Sequence, residues 1–173
     1  MDANIFMSYH RTDTNEMEDI KEELKNKGYN MFSVKTTYKF DGKRHNDIFS
    51  MIGMRLKSCN VMVYLVGQES YSRPHCEHEL RLALKGNAQR RKGIVAILLE
   101  SRKDNIASLD KNITSSRIYE NESYIVLTTK NEFLKNPKKY IDKSVLRKLN
   151  LDVSIVNNQE VPKFRKGLYY DQN

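Results

Sequence analysis

The sequence lacks the many cysteines of disulfide-rich proteins and the long apolar runs of membrane-spanning proteins. Its 173 residues include no tryptophan, two cysteines, three prolines and seven glycines. Two cysteines do not make a disulfide framework, and no apolar run approaches the roughly 18 residues of a membrane-spanning helix. The start of the chain also lacks a secretory signal pattern. We therefore expect a cytoplasmic protein with no membrane segment.

Glycine-rich nucleotide loops are missing as well, and this removes several enzyme classes. Residues 8–13 form a polar loop without glycine after the first apolar run, so neither a Rossmann turn nor a Walker loop is present. No Gly-x-Ser-x-Gly elbow indicates an α/β-hydrolase. His75, Cys76 and His78 leave a zinc site as an alternative, but a second ligand cluster is absent. We expect no bound metal and exposed histidines at the start of a helix.

Positive charge is concentrated towards the end of the chain. The net charge is +8, and residues 130–166 hold 10 of the 30 Lys and Arg residues against 4 of the 22 acidic residues. A nucleic-acid arm is one interpretation. Lysines that alternate with Tyr140, Leu146 and Leu149 fit a docked amphipathic helix better. We expect a domain at residues 1–129, a helical extension packed on it at 130–173, and no nucleic-acid partner.

Apolar runs alternate with amphipathic segments along the first 129 residues. Such alternation is typical of a parallel sheet that helices cover on both faces. Strands are predicted near residues 4–8, 29–34, 60–66, 93–99 and 123–127. The predicted fold class is a flavodoxin-like, doubly wound α/β fold with five parallel strands, in which ligands bind beyond the carboxyl ends of the strands.

Three separated segments resemble the conserved boxes of TIR domains, in the right order. Residues 5–13, Ile-Phe-Met-Ser-Tyr-His-Arg-Thr-Asp, resemble the first box, in which an apolar strand ends in a Ser-aromatic pair. Asp41-Gly42 lies where the family has its BB loop. Residues 72–80, Ser-Arg-Pro-His-Cys-Glu-His-Glu-Leu, resemble the Ser-x-x-Trp-Cys-x-x-Glu-Leu segment, with His75 in place of the tryptophan of many members. The resemblance covers about residues 4–127.

The first and third boxes are most similar to those of the bacterial TIR group that includes the Thoeris antiphage sensors. This resemblance implies an enzyme that cleaves the nicotinamide–ribose bond of NAD, with NAD as substrate and no resident cofactor. Its product would be ADP-ribose or a cyclic ADP-ribose-type signal for a separate effector. A phage-derived trigger and a homo-oligomer are the further partners that the resemblance implies. A non-catalytic TIR scaffold is the alternative.

The resemblance also implies which residues form the site. Glu79 corresponds to the catalytic glutamate of the family. The implied substrate-binding residues are Phe6, Ser8, Tyr9, His10, Arg11, Phe40, Gly42, His75 and Cys76. From the sequence alone, Glu79 is expected on a partly exposed first turn of a helix. Glu77 is expected on a different side of that helix, where a substitution leaves activity largely intact.

Overall fold

The computed structural model describes residues 3–32, 45–87, 89–150 and 153–157. Five strands alternate with helices along these segments. The strands are β1 (Asn4–Ser8), β2 (Asn30–Phe32), β3 (Val61–Val66), β4 (Gly93–Leu98) and β5 (Val126–Thr129). The helices are α1 (Thr14–Asn26), α2 (His45–Lys57), α3 (Pro74–Leu84), α4 (Ser116–Tyr119), α5 (Lys130–Lys135) and α6 (Pro137–Leu149). Among the described residues, no helix is long and apolar enough to cross a bilayer.

The strands form one parallel sheet in the order β2-β1-β3-β4-β5. This arrangement confirms the predicted flavodoxin-like fold. The winding of the chain reverses between β1 and β3, and the crevice for a ligand opens at such a switch point. Ser8 at the end of β1 lies beside Tyr64 of β3 there.

Helices cover both faces of the sheet, which explains why the strands have continuous apolar runs. Every residue of β3 and β4 is buried. Phe6, Tyr64 and Ala96 belong to the core under α2 and α3. Ile5, Val63 and Val95 belong to the opposite core, under α1, α5 and α6. Side chains of neighbouring residues along a strand point to opposite faces of the sheet, so they belong to different cores.

Two strands depart from their predicted bounds by more than one residue. β5 begins at Val126, three residues later than the apolar pattern indicates. The preceding Tyr124 is buried in a turn, where its hydroxyl donates to the carbonyl of Lys92 at 2.7 Å. Because its residues are buried, this turn has the same kind of short apolar run as a buried strand, and the sequence pattern does not distinguish the two. β2 has only three residues, and positions 33 and 34 of the predicted strand lie outside the described residues.

Two capped helices follow β5. Thr129 Oγ1 accepts the backbone N–H of Glu132, and Asn136 Oδ1 accepts that of Lys139, so each helix has an N-cap. Phe133 of α5 and Ile141 of α6 are buried against the sheet. The expectation that Leu146 and Leu149 face the domain is wrong, because they are 68% and 63% exposed. The domain boundary at residue 129 stays a prediction.

Close packing of α6 on β4 predicts that a methyl group at Gly93 is destabilising. A Cβ there would lie 2.8 Å from Ser144 Oγ and 2.9 Å from the Ser144 carbonyl. Overpacking of this kind typically costs about 1–3 kcal/mol, so Gly93→Ala should lower the free energy of unfolding by that amount in urea. Gly53→Ala in α2 is the matched control, because nothing lies within 4 Å of its added Cβ. It should be neutral or stabilising by about 0.5–1 kcal/mol. Equal effects of the two substitutions would contradict the docking of α6.

Candidate active site

A hydrogen bond joins the end of β1 to α3. The Ser8 hydroxyl donates to Glu79 Oε2 at 2.5 Å, although the two residues are 71 positions apart. Parallel pairing of β1 with β3 brings them together, because α3 starts just beyond the carboxyl end of β3. Residues of the first and third boxes therefore meet at the switch point of the sheet.

The start of α3 fixes where Glu79 lies. Arg73 has extended backbone, as the residue before a proline prefers, and Pro74 occupies the first helical turn. All residues from 74 to 80 are buried, and Glu79 is only 5% exposed. The expectation of a partly exposed Glu79 is therefore wrong. So is the expectation of exposed histidines, since His75 and His78 are buried as well.

Burial controls the protonation of this carboxyl group. It raises the pKa of Glu79 to about 8, and the hydrogen bond from Ser8 opposes this only in part. At neutral pH the free protein thus holds Glu79 mainly as the neutral acid. Burial also raises the pKa of the adjacent Cys76 thiol well above its ordinary value. Cys76 is a packed thiol, without the thiolate that a nucleophile needs.

The loop after β1 contributes neutral and exposed groups. Burial, with the nearby Arg73 and Arg11, lowers the pKa of His10 to about 4. Its ring is therefore uncharged at neutral pH, and the 3.9 Å separation from the Glu69 carboxylate is not an ion pair. His10 Nδ1 instead lies 2.8 Å from Thr12 Oγ1. Tyr9 is half-buried and Arg11 is exposed.

The other expected site residues fall into three groups. Phe6 is fully buried in the core beneath the site. The ring of His75 packs edge-on against that of Phe49, with 5.8 Å between the ring centroids. The ring of His78 stacks on the same phenylalanine, with 3.9 Å between the centroids. Phe40 and Gly42 lie outside the described residues. No group of three or more potential metal ligands exists among the residues that the structure describes.

The sequence interpretation missed further polar groups that are buried in β3, in α3 and after β1. Tyr64 is buried beside Ser8, and burial raises the pKa of its phenol well above the ordinary value. Glu77 is buried in an ion pair with Arg117, which the sequence does not indicate. The sequence places Asp13 in the first box but does not indicate that Asp13 is buried against Gly67. Burial, followed by the charge of Glu16, raises the pKa of Asp13 to about 6.

Comparison with known proteins identifies the family. The family model described as TIR domain matches residues 5–135, which is more than half of the chain. The chain belongs to the TIR domain family. No curated protein matches this TIR chain significantly.

Two solved structures illustrate what the TIR chain is similar to. One is the CMP N-glycosidase BcmB of Clostridium botulinum, with 17% identity over 79% of this chain and 98% of that chain, at a TM-score of 0.49. The other is the set of TIR domains in the activated Roq1 resistosome, which directly recognises the pathogen effector XopQ. It has 17% identity over 84% of this chain and 78% of that chain, at a TM-score of 0.44.

The buried Glu79 carboxyl predicts a pH-dependent effect of Glu79→Gln on stability. The folded-state pKa of about 8 lies above the ordinary value of 4.5, so the folded protein keeps a proton that the unfolded chain loses. The group's favourable contribution is complete below the unfolded pKa and is lost as pH rises towards the folded pKa. Glu79→Gln should therefore match the wild type near pH 4 and exceed its stability at pH 8–9 by about 1–4 kcal/mol.

Urea unfolding at both pH values measures this difference. Glu22→Gln, at an exposed position on α1, is the matched control and should change stability little at either pH. A stability difference between Glu79→Gln and the wild type that stays constant from pH 4 to pH 9 would contradict the raised pKa.

Proposed function

We propose that this TIR chain is an enzyme that cleaves the nicotinamide–ribose bond of NAD, giving ADP-ribose or a cyclic ADP-ribose-type product. The observation that supports it most is the hydrogen bond between Ser8 and Glu79. It brings a carboxyl group to the carboxyl edge of the sheet, where doubly wound folds bind ligands. Family membership and the matching boxes support the same activity.

The chemistry suits a single carboxyl group without a metal. Nicotinamide leaves a cationic precursor as a neutral molecule, so the reaction needs no strong general acid. The ribose left behind develops oxocarbenium character and needs a nearby anion. Water then bonds to the anomeric carbon and loses a proton to give ADP-ribose, or a hydroxyl group of the ADP-ribose part does so to give the cyclic product. In this proposal Glu79 is that anion, and it accepts hydrogen bonds from ribose hydroxyls. Cys76 takes no covalent part because its thiol stays protonated.

Substrate charge converts the neutral Glu79 of the free protein into the required anion. A positively charged ring beside a buried carboxyl group favours its ionised form, so binding of NAD lowers the pKa of Glu79 and releases a proton. The Ser8 hydroxyl then donates to the new carboxylate. The site thus binds the cationic substrate and avoids a permanently buried charge when it is empty.

The proposal predicts that kcat/KM for NAD rises with pH and levels off near the free-enzyme pKa of Glu79, about 8. The profile of kcat should level off at lower pH, because bound substrate favours the anion. Chromatography of products from pH 5.5 to 9.5 measures both profiles. Cleavage of a bond to a neutral base, as in a nucleoside monophosphate, would instead need the acid form. Its rate would fall through the same pKa, so a falling profile contradicts the proposal.

Glu79→Gln separates catalysis by this carboxyl group from activity elsewhere in the protein. Loss of one such electrostatic group commonly lowers kcat by about 10²–10³-fold, and we expect that loss here. Glu22→Gln should retain wild-type turnover. Glu77→Gln is unsuitable as a control, since it leaves the buried Arg117 without its counter-charge. Full activity in Glu79→Gln would remove the catalytic assignment.

The wider role that we propose is antiphage defence in the cytoplasm, from the resemblance of two boxes to the Thoeris sensors. A phage-derived trigger would activate the enzyme, through a homo-oligomer, and the nucleotide product would signal to a separate effector. The assay is therefore run with and without a phage lysate. Chromatography against ADP-ribose and cyclic ADP-ribose standards distinguishes hydrolysis from cyclisation.

A non-catalytic interaction module is the second candidate. The observation in its favour is that Glu79 is buried, neutral and hydrogen-bonded in the free protein, as a structural acid would be. A wild type that assembles in light scattering but leaves NAD unchanged with every trigger would favour this module over the enzyme.

A further inference from the structure

A buried ion pair fastens α3 on the side away from Glu79. Arg117 Nη1 donates to Glu77 Oε2 at 2.7 Å, and both residues are almost fully buried, at 1% and 3% exposure. Such pairs add little net stability, because desolvation of the two charges offsets most of their attraction. They do fix geometry, since the planar guanidinium bonds only in defined directions. We therefore expect this pair to fix the position of α3 more than to stabilise the fold.

Arg117 also reaches the segment that follows α6. Its Nε donates to Asn157 Oδ1 at 3.1 Å, and Asn157 Nδ2 donates to the carbonyl of Arg81 at 3.0 Å. Glu77 and Arg81 are four residues apart and share one side of α3. Glu79 lies two residues from each, about 200° around the helix, and therefore points the other way. We call Glu77, Arg117 and Asn157 the α3 clamp.

The segment that carries Asn157 is itself firmly held. Asn121 Oδ1 accepts the backbone N–H of Val156 at 2.9 Å, and Asn121 Nδ2 donates to the Val156 carbonyl at 2.8 Å. The same amide donates to the carbonyl of Arg117. Val153 and Ile155 pack against the core under α2 and α3. The hydrogen bonds from Asn157 therefore connect α3 to a segment that is itself held in place.

We infer that Arg117 and Asn157 are positioning residues, which set the rotation of α3 and so hold the Glu79 carboxyl against Ser8. α3 contacts the sheet through apolar side chains, which resist separation but allow small rotations. The clamp adds directional bonds on the side of α3 opposite to Glu79. A displacement of about 1 Å in a reacting group can lower the rate about 10²-fold, so control of this rotation matters for catalysis. The catalytic part of this inference rests on the proposed function.

Two substitutions test the clamp without removing the charge that faces Glu77. Asn157→Ala removes the bonds to both Arg117 and Arg81 and leaves the ion pair in place. Arg117→Lys keeps a cation but loses the Nε–H that bonds Asn157. Arg147→Lys is the matched control, because Arg147 also donates to two acceptors, the backbone carbonyls of Glu122 and Ile125. It links α6 to the residues just before β5 and does not contact α3 through these bonds. Asn157→Asp keeps the acceptor for Arg117 but replaces the donor to the Arg81 carbonyl with an oxygen, so it restores only the bond to Arg117 that alanine removes.

Two readouts distinguish positioning from mere stability, both measured well below the melting temperature. In Asn157→Ala and Arg117→Lys, kcat for NAD should fall about 10–100-fold while KM changes less than about threefold. The second readout is a carbon-13 NMR titration of the Glu79 carboxyl group, assigned with Glu79→Gln. Its pKa should fall from about 8 towards 4.5 in both clamp variants, because a rotated α3 admits water. Arg147→Lys should leave both values unchanged.

Wild-type kcat and Glu79 titration in folded Asn157→Ala and Arg117→Lys would overturn the inference, as would equal changes in Arg147→Lys. If Arg117→Lys does not fold, the alanine and aspartate variants of Asn157 decide. If the wild type does not cleave NAD, the proposed function fails. The titration of Glu79 then decides the positioning role by itself.

Discussion

The burial of one carboxyl group at the carboxyl end of β1 is the constraint on which the site depends. An ionised Glu79 would be strongly disfavoured in this surrounding, so the free protein keeps it protonated and hydrogen-bonded to Ser8. The alignment of β1 and β3 and the start of α3 at Pro74 both serve that contact. The sheet provides a rigid edge, and α3 brings the acid to it.

Three carboxyl groups are buried near this edge, and each is accommodated differently. Arg117 compensates Glu77 with a full positive charge. Asp13 accepts a hydrogen bond from the Thr12 hydroxyl and lies so close to Gly67 that a Cβ there would overlap it. Glu79 has the Ser8 hydroxyl and no ion pair among the described residues. Among the described residues, Glu79 therefore lacks the counter-charge that Glu77 has, and a cation bound beside it would favour its ionised form.

The strand positions and the family follow from the sequence because both depend on local patterns. Buried strands have continuous apolar runs, and the TIR boxes are short contiguous segments. The burial of Glu79 does not follow, because it requires α3 to be covered on several sides. The apolar positions Cys76, Leu80, Ala83 and Leu84 indicate only one covered side. The side of α3 that carries Glu77 is covered by Arg117 and the segment around Asn157, which lie 40 and 80 residues after Glu77.

The C-terminal part shows the same limit of local patterns. Its lysines and leucines predict a helix, and α6 exists. Which side of α6 packs on the sheet depends on the space left at Gly93, where the backbone of Ser144 comes close to β4. A sequence pattern carries no signal for that contact, so it wrongly predicts that Leu146 and Leu149, which are exposed, face the domain.

The carboxyl titration of Glu79 in the free protein, compared with that in Ser8→Ala, tests the central contact most directly. The account predicts a wild-type pKa near 8 and a higher value in Ser8→Ala, because the serine hydroxyl lowers the pKa that burial raises. A wild-type pKa near the ordinary 4.5, or a value that Ser8→Ala leaves unchanged, would contradict it.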